Sequence, residues 1–447
     1  LRKKIGIYTA SAIVVANMIG TGVFTSVGFQ LSSIQNTWSI LLLWIAGGLL
    51  ALFGAFAYAE LGTHFQVSGG DYIYLSRLFH PLLGYLSAWA GLTVGFSAPV
   101  ALAAMALTKY LSPFGLNDNV WLAVGVIVLI GLMHSFTIRN SSRFQNISTF
   151  IKIAFIVTLI IIGLALNSSP PHNALLFSNS WKNEITSTGF AVSMVFVSFA
   201  YTGWNASAYI ADEIDRPHRN LPLSLIASTL FVSLTYILFQ LVLLKNATVG
   251  QLAGKEDVSF ISFSNLLGLN GGKWVSIFIA IQLVATISSY LWVGPRVTWA
   301  MASEYLLWKP LSKRNEHGIP VAALWLHVLI SVGLALSGSF KDVLLYAGFV
   351  LQLMASLTVA TSLVIRKQKP GAFISPFKPI LQVLFLIFNL WVLVFTLIDQ
   401  PVASLKGLGI LGVGLLIYFF DKIKEPVEES EVVEILEGLT NPDQPDK

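Results

Sequence analysis

Long apolar runs alternate with short polar connections along almost the whole chain. A bilayer-spanning helix needs about 20 mostly apolar residues. Twelve runs qualify: 7–31, 37–61, 82–108, 119–138, 146–166, 188–211, 222–244, 274–302, 320–337, 343–365, 379–398 and 404–420. The third and eighth are long for a perpendicular span, which implies tilt or extension beyond the bilayer. The predicted fold class is an all-α integral membrane protein with twelve transmembrane helices.

Two of these runs are interrupted near their middle. The first reads Asn17-Met18-Ile19-Gly20-Thr21-Gly22-Val23-Phe24, and the sixth reads Ser198-Phe199-Ala200-Tyr201-Thr202-Gly203-Trp204-Asn205. A helix that loses its hydrogen bonds inside a bilayer finds no water to replace them, so breaks persist only where the freed backbone is buried in protein or lines a cavity. In transporters such breaks build the substrate site. Gly20 and Gly203 lie 183 residues apart. Counting five spans from each break gives units over 1–168 and 185–366, then two further helices over 374–421 and an acidic tail over 422–447. Five is odd, so the second unit enters the membrane from the opposite side. The expected arrangement is an inverted repeat in which broken helices one and six meet near the midplane.

Composition supports a membrane protein: 55% of residues are hydrophobic, only 11% are charged, and the mean hydropathy is +0.74. A soluble domain carries about 25% charged residues. The net charge of +5 would suit a nucleic-acid partner, but its distribution argues against one. With the N-terminus cytoplasmic, every arginine (Arg2, Arg77, Arg139, Arg143, Arg216, Arg219, Arg296, Arg314, Arg366) falls on the cytoplasmic side. The outer side receives only lysines, Lys109, Lys182, Lys245, Lys255, Lys273, Lys341 and Lys406. This asymmetry is the positive-inside pattern; it sets both termini in the cytoplasm, as in a multi-pass cell-membrane protein. Cysteine is missing from the sequence, which excludes disulfides, thiol catalysis and cysteine metal sites. The histidines show no metal-ligand spacing and read mostly as loop or interface residues. Neither a metal nor a cofactor is expected. The first run is too long for a cleavable signal, and Arg2-Lys3-Lys4 fits a retained first helix. The outer loop 167–187 carries Pro170-Pro171, the apolar patch Phe260-Ile261-Ser262-Phe263 predicts a short interfacial helix, and the Glu- and Pro-rich tail predicts disorder.

The breaks also carry candidate chemistry. Gly20 and Gly22 each cost about 1 kcal/mol in a helix and let a ligand approach the main chain. The half-helix that resumes after them offers N–H groups and a positive dipole end to a carboxylate. The same glycines would also serve as a packing notch between helices. At the second break, freed carbonyls of Phe199, Ala200 and Thr202 suit an ammonium group, while Tyr201 and Trp204 bring aromatic surface; an aromatic-rich packed helix is the alternative. Facing one another, the two breaks would hold both ends of a zwitterion. Lys152 lies in the apolar stretch Ile151-Lys152-Ile153-Ala154-Phe155. A charge at a span's centre costs about 2.5–3.5 kcal/mol, so it marks function unless the side chain snorkels to the interface. Glu60, Asp212 and Glu213 sit at cytoplasmic helix ends, where ion pairs with Arg216, Arg219 or Arg296 are expected.

The segment Phe199-Ala200-Tyr201-Thr202-Gly203-Trp204-Asn205, followed by Asp212-Glu213-Ile214 and Pro217-His218-Arg219-Asn220-Leu221-Pro222, resembles the sixth-helix signature of L-type amino acid transporters, within the amino acid–polyamine–organocation superfamily. Ile19-Gly20-Thr21-Gly22-Val23-Phe24 is similar to that family's first-helix motif. Tyr58-Ala59-Glu60-Leu61-Gly62 with Ser68-Gly69-Gly70-Asp71-Tyr72 is similar to the segment after helix two. The resemblance spans helices one to ten. It implies the LeuT-type five-plus-five fold and alternating access for amino acids. By position, Ile19, Gly20, Thr21 and Gly22 would face the substrate carboxylate, and Phe199, Ala200 and Thr202 would offer carbonyls to the amine. Phe199 would be an aromatic gate and Asn205 a polar contact behind it. Many relatives that take large side chains have Gly-Gly where this chain has Thr202-Gly203, so Thr202 should narrow the pocket toward alanine, serine or threonine. Lys152 resembles the helix-five lysine that stands where sodium-coupled relatives bind an ion, with Ser288 and Ser289 as candidate neighbours. A resident ammonium argues against sodium coupling and leaves exchange or proton coupling. Mammalian relatives join a heavy chain through a cysteine after helix three; the stretch Leu111 to Asn119 has none, so no disulfide-linked subunit is expected.

An integral-membrane enzyme would need paired carboxylates, a histidine cluster or an activated nucleophile in the membrane, and the sequence offers none. A channel has no need for two matched breaks. The expected function is sodium-independent exchange of small neutral amino acids. The alternatives are a proton-coupled or facilitative permease of other specificity and a membrane sensor that binds without flux.

Overall fold

A computed structural model gives the architecture. It describes residues 4–116, 119–136, 141–166, 175, 177–305, 307–316, 318–365 and 369–421. Arg2, Lys3, Arg139, Arg366, the Arg143 side chain, the Pro170-Pro171 turn and the acidic tail lie outside the described residues.

The described secondary structure is helical apart from isolated backbone bridges. The helices run α1 (Ile7–Met18), α2 (Thr21–Gln30), α3 (Thr37–Phe65), α4 (Asp71–Leu78), α5 (Pro81–Ala90), α6 (Ser97–Leu111), α7 (Val120–Phe136), α8 (Ser141–Ala165), α9 (Trp181–Glu184), α10 (Thr188–Ala200), α11 (Pro217–Asn246), α12 (Val249–Leu252), α13 (Val258–Glu304), α14 (Val321–Ser337), α15 (Phe340–Val364), α16 (Ile380–Asp399) and α17 (Pro401–Phe420). Among the described residues, nine segments are long and apolar enough to cross a membrane. The other expected spans contain the shorter apolar helices Val120–Phe136, Thr188–Ala200 and Val321–Ser337. Large apolar side chains such as Phe150, Leu329, Ile387, Ile398 and Phe419 stand more than 60% exposed on the outside of the bundle. An apolar exterior of this extent is a lipid-facing surface.

Local chemistry sets several boundaries. Asn36 starts α3 by accepting the Trp38 N–H at 2.9 Å, which satisfies one orphan donor. α13, which contains the eighth run, is kinked before that run begins: Gly268 has φ 75°, a value that residues with a β-carbon rarely adopt. The stretch from Val258 to Leu267 is thereby a separate short helix. One face of it packs on the protein: Ser259, Ser262 and Phe263 are buried, and the Ser262 hydroxyl donates to the Leu243 carbonyl at 3.1 Å. α5 and α6 are joined by a π-helical turn over Gly91–Phe96.

Two long-range ties connect distant parts. Glu60 is fully buried and forms an ion pair with Lys378 at 2.6 Å, not with the arginines expected from sequence. Its other carboxylate oxygen accepts the Ser375 N–H at 3.3 Å. Asp212 instead accepts from Ser68. The second tie is a parallel bridge between Ile5 and Ile214, with Ile5 N–H donating to the Glu213 carbonyl at 2.8 Å and Asp215 N–H to the Ile5 carbonyl at 2.9 Å.

Candidate functional site

The first break leaves Ile19 and Gly20 extended between α1 and α2. Carbonyls at the end of α1 lose their intrahelical partners there, and side chains from three other helices supply replacements. Tyr290 donates to the Asn17 carbonyl at 3.2 Å, Tyr236 to that of Met18 at 2.5 Å, and Lys152 to that of Ile19 at 3.2 Å. The donors that open α2 are treated differently. Gly20 is the N-cap and has no side chain to accept from them, so the first N–H groups of α2 keep their partial positive charge available. Each carbonyl at the end of α1 thus has a donor, while the N–H groups that open α2 have no side-chain acceptor.

At the second break α10 ends at Ala200, residues Tyr201 to Asn205 form a turn, and a 3-10 helix follows over Ala206–Glu213. Gly203 has φ 98°, a left-handed value natural to glycine. The Phe199 carbonyl accepts the Thr202 hydroxyl at 2.7 Å, and the Ala200 carbonyl accepts Tyr236 at 3.3 Å. The Phe199 oxygen also accepts the Thr202 N–H at 3.0 Å, so of the two it is the Ala200 oxygen that keeps a lone pair for a further donor. One Tyr236 hydroxyl therefore touches both breaks. The breaks also meet directly: a β-carbon on Gly22 would sit 2.5 Å from Ala200 Cα, and one on Gly203 would sit 2.7 Å from the Asn17 carbonyl carbon. Only glycine permits this approach.

Between the breaks lies a cavity lined by Gly20, Thr21, Gly22, Phe199, Ala200 and Thr202 of the expected residues. Asn17, Met18, Pro99, Thr286 and Tyr290 complete it. It offers about 10 Å³ to the centre of a water-sized sphere, room for about one water molecule. The site is closed down in this conformation.

The remaining expected residues go elsewhere. The Ile19 carbonyl turns to Lys152, outside the cavity wall. Asn205 donates to the Tyr209 hydroxyl at 3.4 Å, and Tyr209 in turn donates to Asp71 at 2.9 Å. Tyr201 and Trp204 pack on the glycine face of α3. Tyr201 donates to the Trp44 carbonyl at 3.0 Å, and the Trp204 ring lies where a β-carbon of Gly54 would be, 2.5 Å away. Their aromatic surface is used for packing.

Lys152 is buried, at 3% exposure, so it does not snorkel. Its second partner is the Thr286 hydroxyl at 3.0 Å; Ser288 and Ser289 do not reach it. Ser288 is two residues on, about 200° around the helix, and meets His134 at 2.8 Å. The Ser289 hydroxyl is buried without a hydrogen-bond partner among the described residues. His327 also departs from the loop or interface reading: it is buried between Ser97 at 2.9 Å and Thr298 at 2.8 Å. Sequence reasoning missed Thr286, Tyr290 and Tyr236. The available signal was the Thr286 and Tyr290 pair, four residues apart and so on one helix face.

These features define a helical membrane protein in which two interrupted helices enclose a common cavity. The profile of the amino acid permease family matches residues 5–419, and the chain belongs to that family. It is similar to the human (Homo sapiens) b(0,+)-type amino acid transporter 1, at 30% identity over 377 residues, covering 82% of this chain and 76% of the relative. It is similar also to the Mus musculus large neutral amino acids transporter small subunit 2, at 28% identity over 432 residues, covering 94% of this chain and 81% of the relative. The chain is an L-type-like member of the amino acid–polyamine–organocation superfamily, a multi-pass membrane transporter of amino acids and not an enzyme.

Proposed function

We propose that this chain is a sodium-independent exchanger of small neutral amino acids that works by alternating access. The observation that carries the proposal is the contact of the two breaks around one cavity, with donors open on α2 and carbonyls of Phe199 and Ala200 opposite. A carboxylate at Gly20, Thr21 and Gly22 and an ammonium at Phe199, Ala200 and Thr202 would satisfy both sets. Twelve spans in two inverted units, 1–168 and 185–366, followed by helices over 374–421 and a tail over 422–447, form the frame of this reading. It sets the termini in the cytoplasm of a cell-membrane protein.

Sodium independence is supported by Lys152, whose ammonium binds the Ile19 carbonyl and the Thr286 hydroxyl, two oxygens that a cation could otherwise coordinate. The small-substrate preference is supported by Thr202, which lines the closed cavity and spends its hydroxyl on the Phe199 carbonyl. That leaves its methyl group as added bulk. Phe199 acts as the gate on this reading, and Asn205, Tyr201 and Trp204 support the turn that carries it.

Uptake of labelled alanine into proteoliposomes without sodium or a proton gradient tests the proposal. Strong uptake only into vesicles loaded with unlabelled alanine is expected. Equal uptake into empty vesicles would refute exchange in favour of facilitated transport. A strict need for sodium would refute the role given to Lys152.

A further inference from the structure

A second cavity lies away from the broken helices, between α7, α13 and the start of α14, lined by His134, Trp292, Pro295, Arg296 and Leu324 among others. Its chemistry is unbalanced. The Arg296 guanidinium lies 4.0 Å from the centroid of the Trp292 ring and donates to the Trp292 carbonyl. Among the described residues no carboxylate lies within 4 Å of it. Arg314, 3.5 Å over the Trp299 ring on the same helix, repels it, and Glu213 offsets that charge only from a distance. Lys309 and Lys313 follow in the adjoining connection. Trp292 lines the cavity, and its buried indole N–H has no hydrogen-bond partner among the described residues. Just outside, Met133 and Phe136 of α7 stand 64% and 72% exposed on the apolar surface.

The cavity itself is as small as the first, about 10 Å³, and we propose that its mouth binds a phosphate group carried by the headgroup of an anionic phospholipid. A guanidinium matches phosphate oxygens in a bidentate fork, and the indole N–H supplies a third donor. A cation held in an apolar face without a close acid is costly, and a phosphate monoanion removes that cost. Met133 and Phe136 provide the surface for the acyl chains. Basic pockets between membrane helices take anionic headgroups by this chemistry. The assignment is independent of the substrate and of exchange.

The test uses the full chain, purified in neutral detergent and titrated with phosphatidylglycerol, phosphatidylcholine and inorganic phosphate by thermophoresis. Phosphatidylglycerol is expected to bind in preference to phosphatidylcholine. Arg296→Gln should weaken it about fivefold, the loss expected for one basic side chain at an anionic membrane surface. Trp292→Phe, which keeps an aromatic face and deletes the donor, should weaken it also, while Arg296→Lys keeps part of the affinity. Inorganic phosphate binding as tightly, with the same dependence on Arg296, would overturn the lipid source and assign the site to a soluble phosphate. Equal binding of the two lipids, or indifference to Arg296→Gln and Trp292→Phe alike, would overturn the proposal. If Arg296→Gln is not monodisperse, Trp292→Phe and Arg296→Lys carry the comparison.

Discussion

Gly22→Ala is expected to abolish substrate binding, whereas Gly20→Ala, two residues away, leaves the fold intact. The two differ in what the new methyl group meets. At Gly22 it would lie 2.5 Å from Ala200 Cα and 2.6 Å from Ala200 Cβ. Carbon atoms in contact prefer about 3.5–4.0 Å, so α2 and α10 must separate by about 1 Å. Neither neighbour is a flexible side chain that could swing aside. Overpacking of this kind costs about 1–3 kcal/mol, and the displacement acts on the line between the donors of α2 and the carbonyls of Phe199 and Ala200. At Gly20 the nearest atom is Thr286 Cγ2 at 3.7 Å, an ordinary contact, and the backbone there is extended. Scintillation-proximity binding of labelled alanine, run beside thermal unfolding of the same detergent-purified samples, separates the two variants. Gly22→Ala should unfold at lower temperature and bind nothing measurable. Wild-type binding by Gly22→Ala would refute the claim that the breaks jointly form the site.

Lys152→Ala removes donors to Ile19 and Thr286. At about 1.5–3 kcal/mol for a charged hydrogen bond, exchange in proteoliposomes should slow about tenfold or more while expression holds; unchanged flux would contradict a coupling role. Thr202→Gly deletes bulk from the cavity wall and should let leucine compete with alanine about tenfold better, within the range for a methylene-sized change, in a competition uptake assay. Asp71 accepts hydrogen bonds from Tyr58 and Tyr209, and burial raises its pKa above the ordinary 3.8. The folded state therefore binds more protons than the unfolded state between 3.8 and the raised value, so stability falls as pH rises through that window. Asp71→Asn should flatten this slope in thermal unfolding measured from about pH 4 to pH 7, and an unchanged slope would exclude Asp71 as its source.

The helices and their interruptions were legible because both are local. Apolar length marks a span, and paired glycines mark the place where a span fails. The cavity-lining backbone of Gly20, Gly22 and Ala200 followed from this directly. Side-chain partners were less legible. Lys152 announced itself as a buried charge, but its partner depends on which face of α13 turns toward α8, and a register of two residues separates Thr286 from Ser288. Tyr201 and Trp204 are of a type that suits a ligand. Gly47, Gly48 and Gly54 on α3 open a notch that takes them instead. The Glu60–Lys378 pair joins residues 318 apart in sequence, a separation at which no local pattern selects one lysine over another.

The two-stranded bridge at Ile5 and Ile214 has a mechanical consequence. It welds the start of α1 to the segment that follows the 3-10 helix, 209 positions later in the chain. Each half-helix ends at its own break, so each break is a hinge, and the bridge is a crossbar between the free arms of the two hinges. Swinging one arm alone would rupture two backbone hydrogen bonds of 2.8 and 2.9 Å in a place where Ile214 is fully buried. The arms are therefore tied together. On the proposed reading, a ligand pressing on either hinge would move both, and the carboxylate half and the amine half of the cavity would open and shut as a single jaw.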